Sequence, residues 1–324
     1  MYAKRLLASV ALFTVSLQAQ QLIETFSYTN GPVPGWTRPL PSSATWLVNN
    51  GRLTKIGGST ADFLLKDGIV AKNCVLDVEV FYTSTFAAFP FGGLAARYVS
   101  TSSPLLYCKI QDNGGAADLE RMYLFESYGA GQSYADIGAG ITSAVIRMLT
   151  VDRQSSILVD KNKDGVFDQE LAVNSLSTVL GPGQIACTMH SSVQLDNFKF
   201  YDGVLLEQSQ PKVGTTYKLR FATPVAQSTP WVAAFALSNR GIPIGMRSIP
   251  LALDPLFTLT LGSASALGLA GTIDGNGDGL VAFPVPNNAS FVGFVFFAAA
   301  VTLDPFQPFS IGTISQDLRA VIQI

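Results

Sequence analysis

Residues 75–81, Val75-Leu76-Asp77-Val78-Glu79-Val80-Phe81, decide the fold class. In an extended chain Val75, Asp77, Glu79 and Phe81 fall on one side, and Leu76, Val78 and Val80 on the other. A period of two with a purely aliphatic side is the mark of a half-buried strand. Working outward, Leu105–Gln111, Met122–Tyr128, Val145–Val151 and Ile157–Asp160 read the same way, joined by Gly- and Ser-rich connections. Strands at this spacing, with turn signals between them, predict an all-β sandwich over residues 20–204.

The composition agrees. Of 324 residues, 48% are hydrophobic and only 14% are charged, with glycine and proline both common. That mixture suits short strands and tight turns rather than long solvated helices. The net charge of −2 carries no basic stripe, so a nucleic-acid partner is not expected. A mean hydropathy of +0.31 is high, and asks for deep burial, an apolar partner surface, or both.

Part of that apolarity belongs to the first residues. Lys4 and Arg5 precede an apolar run from Leu6 to Leu17, followed by Leu17-Gln18-Ala19, an approximate A-x-A cleavage site. This reads as a signal peptide over residues 1–19, too short for a comfortable transmembrane helix. The mature chain is therefore expected to be secreted or held at the cell surface, with no membrane span of its own. In an oxidising compartment Cys74, Cys108 and Cys187 allow one disulfide and a spare thiol; their apolar surroundings equally suit three buried thiols.

From about Gln208 the texture changes. The runs TPWVAAFALS (229–238), LFTLTLG (256–262) and FVGFVFFAAAVTL (291–303) are nearly continuous apolar stretches, read as strands buried on both faces or facing another subunit. Leu-Asp-Pro occurs twice, ending at Pro255 and Pro305, and marks strand edges or turns. The segment from Leu205 to Val213 reads as a short linker. Residues 208–324 are expected to form a second, smaller, immunoglobulin-like β-sandwich without a helix longer than a turn or two.

Several short motifs in the first half resemble the concanavalin A-like lectin/glucanase superfamily, in particular its laminin-G-like and 3-keto-disaccharide hydrolase-like domains. They are Phe26-Ser-Tyr28-Thr-Asn30-Gly31 with Gly35-Trp36, Trp46-Leu-Val-Asn-Asn-Gly51-Arg-Leu53, Gly93-Leu-Ala-Ala-Arg97-Tyr98 with Tyr107, Ile157-Leu-Val-Asp160, and Leu195-Asp196-Asn197-Phe198-Lys-Phe200-Tyr201. The resemblance implies a jelly roll that binds sugars, and in a minority of members hydrolyses them. The second half resembles a C-terminal β-sandwich of planctomycete-type secreted proteins. Its carriers are the paired Leu-Asp-Pro elements, Gly271-Thr-Ile-Asp274, Pro284-Val-Pro286-Asn-Asn288 and Ser315-Gln-Asp317-Leu. That family implies no activity.

The sharpest chemical motif is Asp160-Lys-Asn162-Lys-Asp164-Gly165-Val-Phe-Asp168. Oxygen donors at positions 1, 3, 5 and 9 around a turn glycine suit Ca2+, which takes six to eight hard oxygens. Asp160, Asn162, Asp164 and Asp168 are its candidate ligands. The motif lacks the bidentate acid of an EF-hand, Leu171 standing at position 12, and Asp, Asn and Gly also favour plain hairpin turns. A poorer copy, Asp274-Gly-Asn276-Gly-Asp278-Gly279, has Ala282 at the ninth position and reads as a turn.

Catalytic signatures are weak. The E-x-D-x-x-E strand of the superfamily's glucanases is absent, and Asp77 with Glu79 reads as an acidic outer face. His190 is the one histidine, and no G-x-S-x-G elbow accompanies it. What remains is a binding face. If Leu106, Cys108 and Ile110 point inward, Tyr107, Lys109 and Gln111 point out, and Tyr123, Arg97 and Arg147 are candidates to join them on one sheet. Tyr would stack on sugar rings, and Arg or Lys would bond hydroxyl or acid groups. The reading is a non-catalytic protein that binds a glycan or cell-surface polymer, possible Ca2+ included. The alternatives are a sugar hydrolase or lyase with acids around Arg97, Tyr107 and Glu126, and a structural surface protein that self-associates.

Overall fold

The computed structural model describes residues 21–39, 44–57, 62–83, 89–100, 105–114, 118–127, 130–173, 181–225 and 227–324. The signal peptide expected over residues 1–19 lies outside them. Val75–Phe81 sits within the strand Cys74–Tyr82, whose Leu76, Val78 and Val80 are fully buried in the core as the alternation requires. This strand occupies the middle of an eight-stranded sheet. The order is Gln169–Val173, Gln154–Asp160, Ser143–Val151, Cys74–Tyr82, Val193–Tyr201, Arg52–Ile56, Thr45–Asn49, with Gln21–Glu24 also on Val193–Tyr201. Because Asp77 and Glu79 project from its outer side, it is called the acidic sheet below.

A seven-stranded sheet faces it, in the order Ala130–Asp136, Arg121–Ser127, Leu106–Gln111, Phe91–Tyr98, Gly183–Met189, Phe63–Ala71, Trp36–Thr37. All pairings in both sheets are antiparallel. The chain passes repeatedly from one sheet to the other, so spatial neighbours such as Cys74–Tyr82 and Val193–Tyr201 are far apart in sequence; this is jelly-roll wiring. One continuous core fills the space between the sheets, including Leu94, Leu106, Cys108, Ile110, Ile146 and Phe198. Trp36 and Trp46 belong to it; Trp36 packs edge-on against Phe198 at 5.1 Å. Cys74, Cys108 and Cys187 are free, buried thiols, and burial pushes all three up, Cys74 to about 11.

The second unit is a smaller antiparallel sandwich of a three-stranded and a five-stranded sheet around Tyr217, Phe221, Trp231, Phe235 and Phe296. The segment read as a linker is part of it. Val204–Glu207 pairs with Thr216–Ala222, because Val204 and Leu205 find burial there. A second difference concerns LFTLTLG, expected as a strand. It is the helix Pro255–Gly262, N-capped by Asp254, whose carboxylate accepts from the Phe257 N–H at 2.9 Å. Pro255 at the first helical position and Asp254 before it form a start signal that outweighs the alternating Leu/Thr pattern. The first Leu-Asp-Pro therefore opens a helix, and the second follows the strand Val295–Leu303.

Polar groups lock the two sandwiches together. Arg147, on the outer side of the acidic sheet, makes two 2.8 Å bonds to Asp77 and a 3.0 Å bond to Asp317 of the second sandwich. Arg220 of the second sandwich reaches Asp152 of the first at 2.7 Å and Asp278 at 2.8 Å. The Gln21 amide spans the same seam to both backbone groups of Ser248. Val75, Val151, Tyr201, Val204 and Ala222 form an apolar cluster beneath them, and Asp202 is buried close by. Among the described residues no helix is long and apolar enough to cross a membrane.

Candidate functional site

The outer side of the seven-stranded sheet carries a continuous aromatic cluster, in which Phe63, Phe91, Tyr123 and Phe125 are buried, Tyr107 is half-buried and Tyr134 is exposed. In Leu106–Gln111 the even positions Leu106, Cys108 and Ile110 enter the core, which turns Tyr107, Lys109 and Gln111 outward. Strand register then sets their neighbours: Tyr107 lies opposite Phe125, Lys109 opposite Tyr123, and Tyr123 opposite Tyr134. Tyr107 and Phe125 stack at 4.2 Å with an interplanar angle of 2°, and Phe63 meets Tyr107 edge-on at 5.8 Å. Lys109 lies in the middle of this surface. Its Nζ is 4.6 Å from the ring centre of Phe91, 5.1 Å from Tyr123 and 5.3 Å from Phe125.

Gly93 makes that position possible. It pairs with Lys109, and a β-carbon there would come within 2.9 Å of Lys109 Cβ and 2.1 Å of the Cys108 carbonyl oxygen. Burial among the rings lowers the Lys109 amine to about 8, while the π faces offer partial compensation to its cationic form. No ion pair among the described residues uses Lys109. Tyr134 forms the open edge at 54% exposure, with Arg121 over its ring at 4.6 Å and Asp136 holding Arg121.

Of the five residues expected to bind ligand, Tyr107, Lys109 and Tyr123 come together here. Arg97 shares their sheet but not their surface. A register irregularity opposite it and a left-handed φ of 54° turn its fully buried side chain to the Lys72 and Asp152 carbonyls, at 2.6 and 2.9 Å. Arg147 stands on the other sheet, so the expectation that it joins this surface is corrected. Burial works against its charge, but Asp77 and Asp317 outweigh that and hold it protonated. Phe91, Phe125 and Tyr134 belong to the surface and were not foreseen. The signal was present for Phe125, two residues beyond Tyr123 and therefore on the same side of its strand.

Asp77 and Glu79 are both engaged structurally, Asp77 by Arg147 and Glu79 by Lys163 at 2.9 Å and Asn197 at 2.8 Å. His190 is half-buried beside Phe91; its Nδ1 accepts from the Ser192 N–H, and burial with the nearby Lys55 charge lowers its pKa.

In the turn from Asp160 to Asp168 the oxygens meet backbone donors. Asp160 accepts from Lys163 and Gly165 at 2.7 and 2.8 Å, Asp164 from Val166 at 2.8 Å, and Asp168 from Lys161 at 2.8 Å. Asn162 bonds Asp164 twice, its Oδ1 accepting the Asp164 N–H at 3.4 Å and its amide donating to the Asp164 carboxylate at 3.1 Å. This donor set fits a self-satisfied Asx-rich turn better than a cation cage. The turn also leans on the second sandwich: Phe167 covers the Arg147 guanidinium at 4.6 Å, and Gly165 packs on Asn239. Three carboxylates do converge elsewhere, at Asp112, Asp118 and Glu120, whose oxygens lie within 4.8 Å of one another.

No protein-family model matches the chain. No curated protein matches it either. Solved structures similar to it include the carbohydrate-binding module CBM66 from Bacillus subtilis, 13% identical, covering 51% of this chain and 94% of that one with a TM-score of 0.39. A Bacillus licheniformis β-glucanase is 11% identical, covering 56% of this chain and 97% of its own with a TM-score of 0.38. The VIP36 exoplasmic/lumenal domain in its Ca2+/Man2-bound form is 9% identical, covering 56% and 86% with a TM-score of 0.37.

Proposed function

We propose that this chain is an exported, non-catalytic binding protein whose aromatic surface takes a glycan or cell-surface polymer bearing acid groups. The observation that carries the reading is Lys109, a half-buried ammonium set among three rings without a carboxylate partner among the described residues. Sugar C–H faces stack on Tyr107 and Tyr134, and an acid group supplies the anion that Lys109 lacks. Calcium enters this reading as a stabilising ion of the first sandwich. The second sandwich serves attachment, assembly or spacing.

The test is a binding panel of neutral, uronic and sulfated polysaccharides with the full chain. Lys109→Ala should weaken binding of acidic members by roughly tenfold or more, the size of one charge-assisted hydrogen bond. Neutral members should lose far less. Absence of binding across the panel, or equal binding by Lys109→Ala, refutes the reading. Release of reducing ends from the same polysaccharides moves the protein to the hydrolase or lyase alternative.

A second reading, self-association through the second sandwich, is favoured by one observation. Met246 and Phe306 are 97% and 93% exposed, and Phe309, itself 69% exposed, lies against Gly245. An apolar surface of this kind marks an interaction site. Sedimentation at increasing protein concentration checks it, with Phe306→Ser and Met246→Ser expected to favour the monomer.

A further inference from the structure

We propose that Asp112, Asp118 and Glu120 form a Ca2+ site at the end of the hairpin joining Leu106–Gln111 to Arg121–Ser127. Convergence of their oxygens within 4.8 Å is the first observation. Asp118 is the second and independent one. It is only 3% exposed, its Oδ2 accepts from the Gly140 N–H, and its buried Oδ1 has no hydrogen-bond partner. Asp112 is 4% exposed; one of its oxygens accepts from the Gly114 N–H at 2.7 Å and the other from the Tyr82 hydroxyl at 3.4 Å. None of the ion pairs among the described residues involves these three acids.

Two buried carboxylates beside a third acid repel one another and have lost most of their water. Hydrogen-bond donors supply part of what is missing but leave one lone-pair direction of Asp118 empty. A divalent cation supplies both the opposite charge and the partner for that oxygen. The donors are all oxygen, without His or Cys, which selects a hard ion over zinc or copper. Ca2+ accepts the irregular geometry of a loop end, whereas Mg2+ demands a near-ideal octahedron. This assignment is independent of what the aromatic surface binds. It differs from the sequence motif at residues 160–168, where both oxygens of the buried Asp160 hold backbone donors and no buried carboxylate oxygen is left over.

Calorimetric titration of Ca2+ alone into the chelator-treated full chain tests it. Saturable uptake is expected with a Kd of about 0.1–1 mM, the range of extracellular calcium modules. Asp118→Asn should abolish it, and Glu120→Gln should weaken it by about tenfold, as loss of a metal-orienting group does. Asp160→Ala with Asp164→Ala should leave it intact. If Asp118→Asn does not fold, judged by its far-ultraviolet dichroism, the half-buried Glu120→Gln decides the matter. No uptake at ~10 mM Ca2+, tenfold above that range, overturns the site. So does uptake that survives both hairpin variants, or that disappears with Asp160→Ala and Asp164→Ala.

Discussion

Two acidic turns of the first sandwich look alike in composition and differ in how their charge is answered. In the turn over residues 160–168 each Asp accepts a backbone N–H, Lys163 pairs with Glu79, and the buried Arg147 lies under Phe167. In the hairpin end at residues 112–120 Asp112 and Asp118 are buried, as only Asp160 is in the other turn, yet an oxygen of Asp118 is left over and no Lys or Arg forms a described ion pair. The first turn is complete as a piece of protein. The second is complete only with something added. A motif of alternating Asp and Asn is thus a poor guide to cation binding by itself, because the same side chains close a turn by bonding their own backbone. An unanswered oxygen is the better signal.

The largest test of this contrast is Arg147→Ala. It leaves Asp77 and Asp317 buried and unpaired, and should cost about 3–5 kcal/mol in chemical denaturation, with or without calcium. A loss well under 1 kcal/mol would mean that the protein does not balance these charges as described. Next comes Asp160→Ala, which strips the acceptor from the Lys163 and Gly165 N–H groups. A loss of about 1–3 kcal/mol is expected, equal in calcium and in chelator. A loss confined to calcium would invert the comparison and make this turn the metal site. The smallest effect concerns the aromatic surface. Because Lys109 is lowered to about 8, raising the pH from 7 to 9 discharges it. Affinity for an acidic polysaccharide should then fall by about tenfold, or ~1.4 kcal/mol, and Lys109→Arg should remove that dependence.

The strand pattern was legible where one side of a strand faces a core. Val75–Phe81 and Leu105–Gln111 could be assigned, side by side, from alternation alone. Tyr107, Lys109 and Tyr123 followed because strand parity survives folding. Arg97 escaped the same logic since an irregular register and a left-handed φ reset the parity at its position. Arg147 was misplaced because parity says which side of a strand a residue takes, and nothing about which sheet the strand joins. In the second sandwich, LFTLTLG shows local pattern losing to a cap: Asp254 and Pro255 start a helix whose Thr260 is then drawn into the core by bonds to Leu256 and Phe235. The hairpin cluster at Asp112, Asp118 and Glu120 has no spacing signature. Its members meet because the Glu120 N–H bonds the Gln111 carbonyl at the hairpin end, while Asp118 is tied to Gly140 and Leu119 to Ile141 across the fold.

The seam between the sandwiches carries two carboxyls that titrate in opposite senses. For Asp202, burial holds the carboxyl well above its ordinary range. Its neutral form is favoured in the native state, so its contribution declines as the medium is made more alkaline than about 3.9, the value of a free Asp. Asp317 is the reverse: burial opposes its charge, but Arg147 and Asn239 prevail and lower it. That contribution is present above about 3.9 and is lost as acid drives the carboxylate through its depressed native value. Between these limits the seam takes up one proton while keeping the other carboxylate ionised. The two contributions overlap most near the free-Asp value of about 3.9; more acid weakens the Asp317 end of the seam, and less acid the Asp202 end.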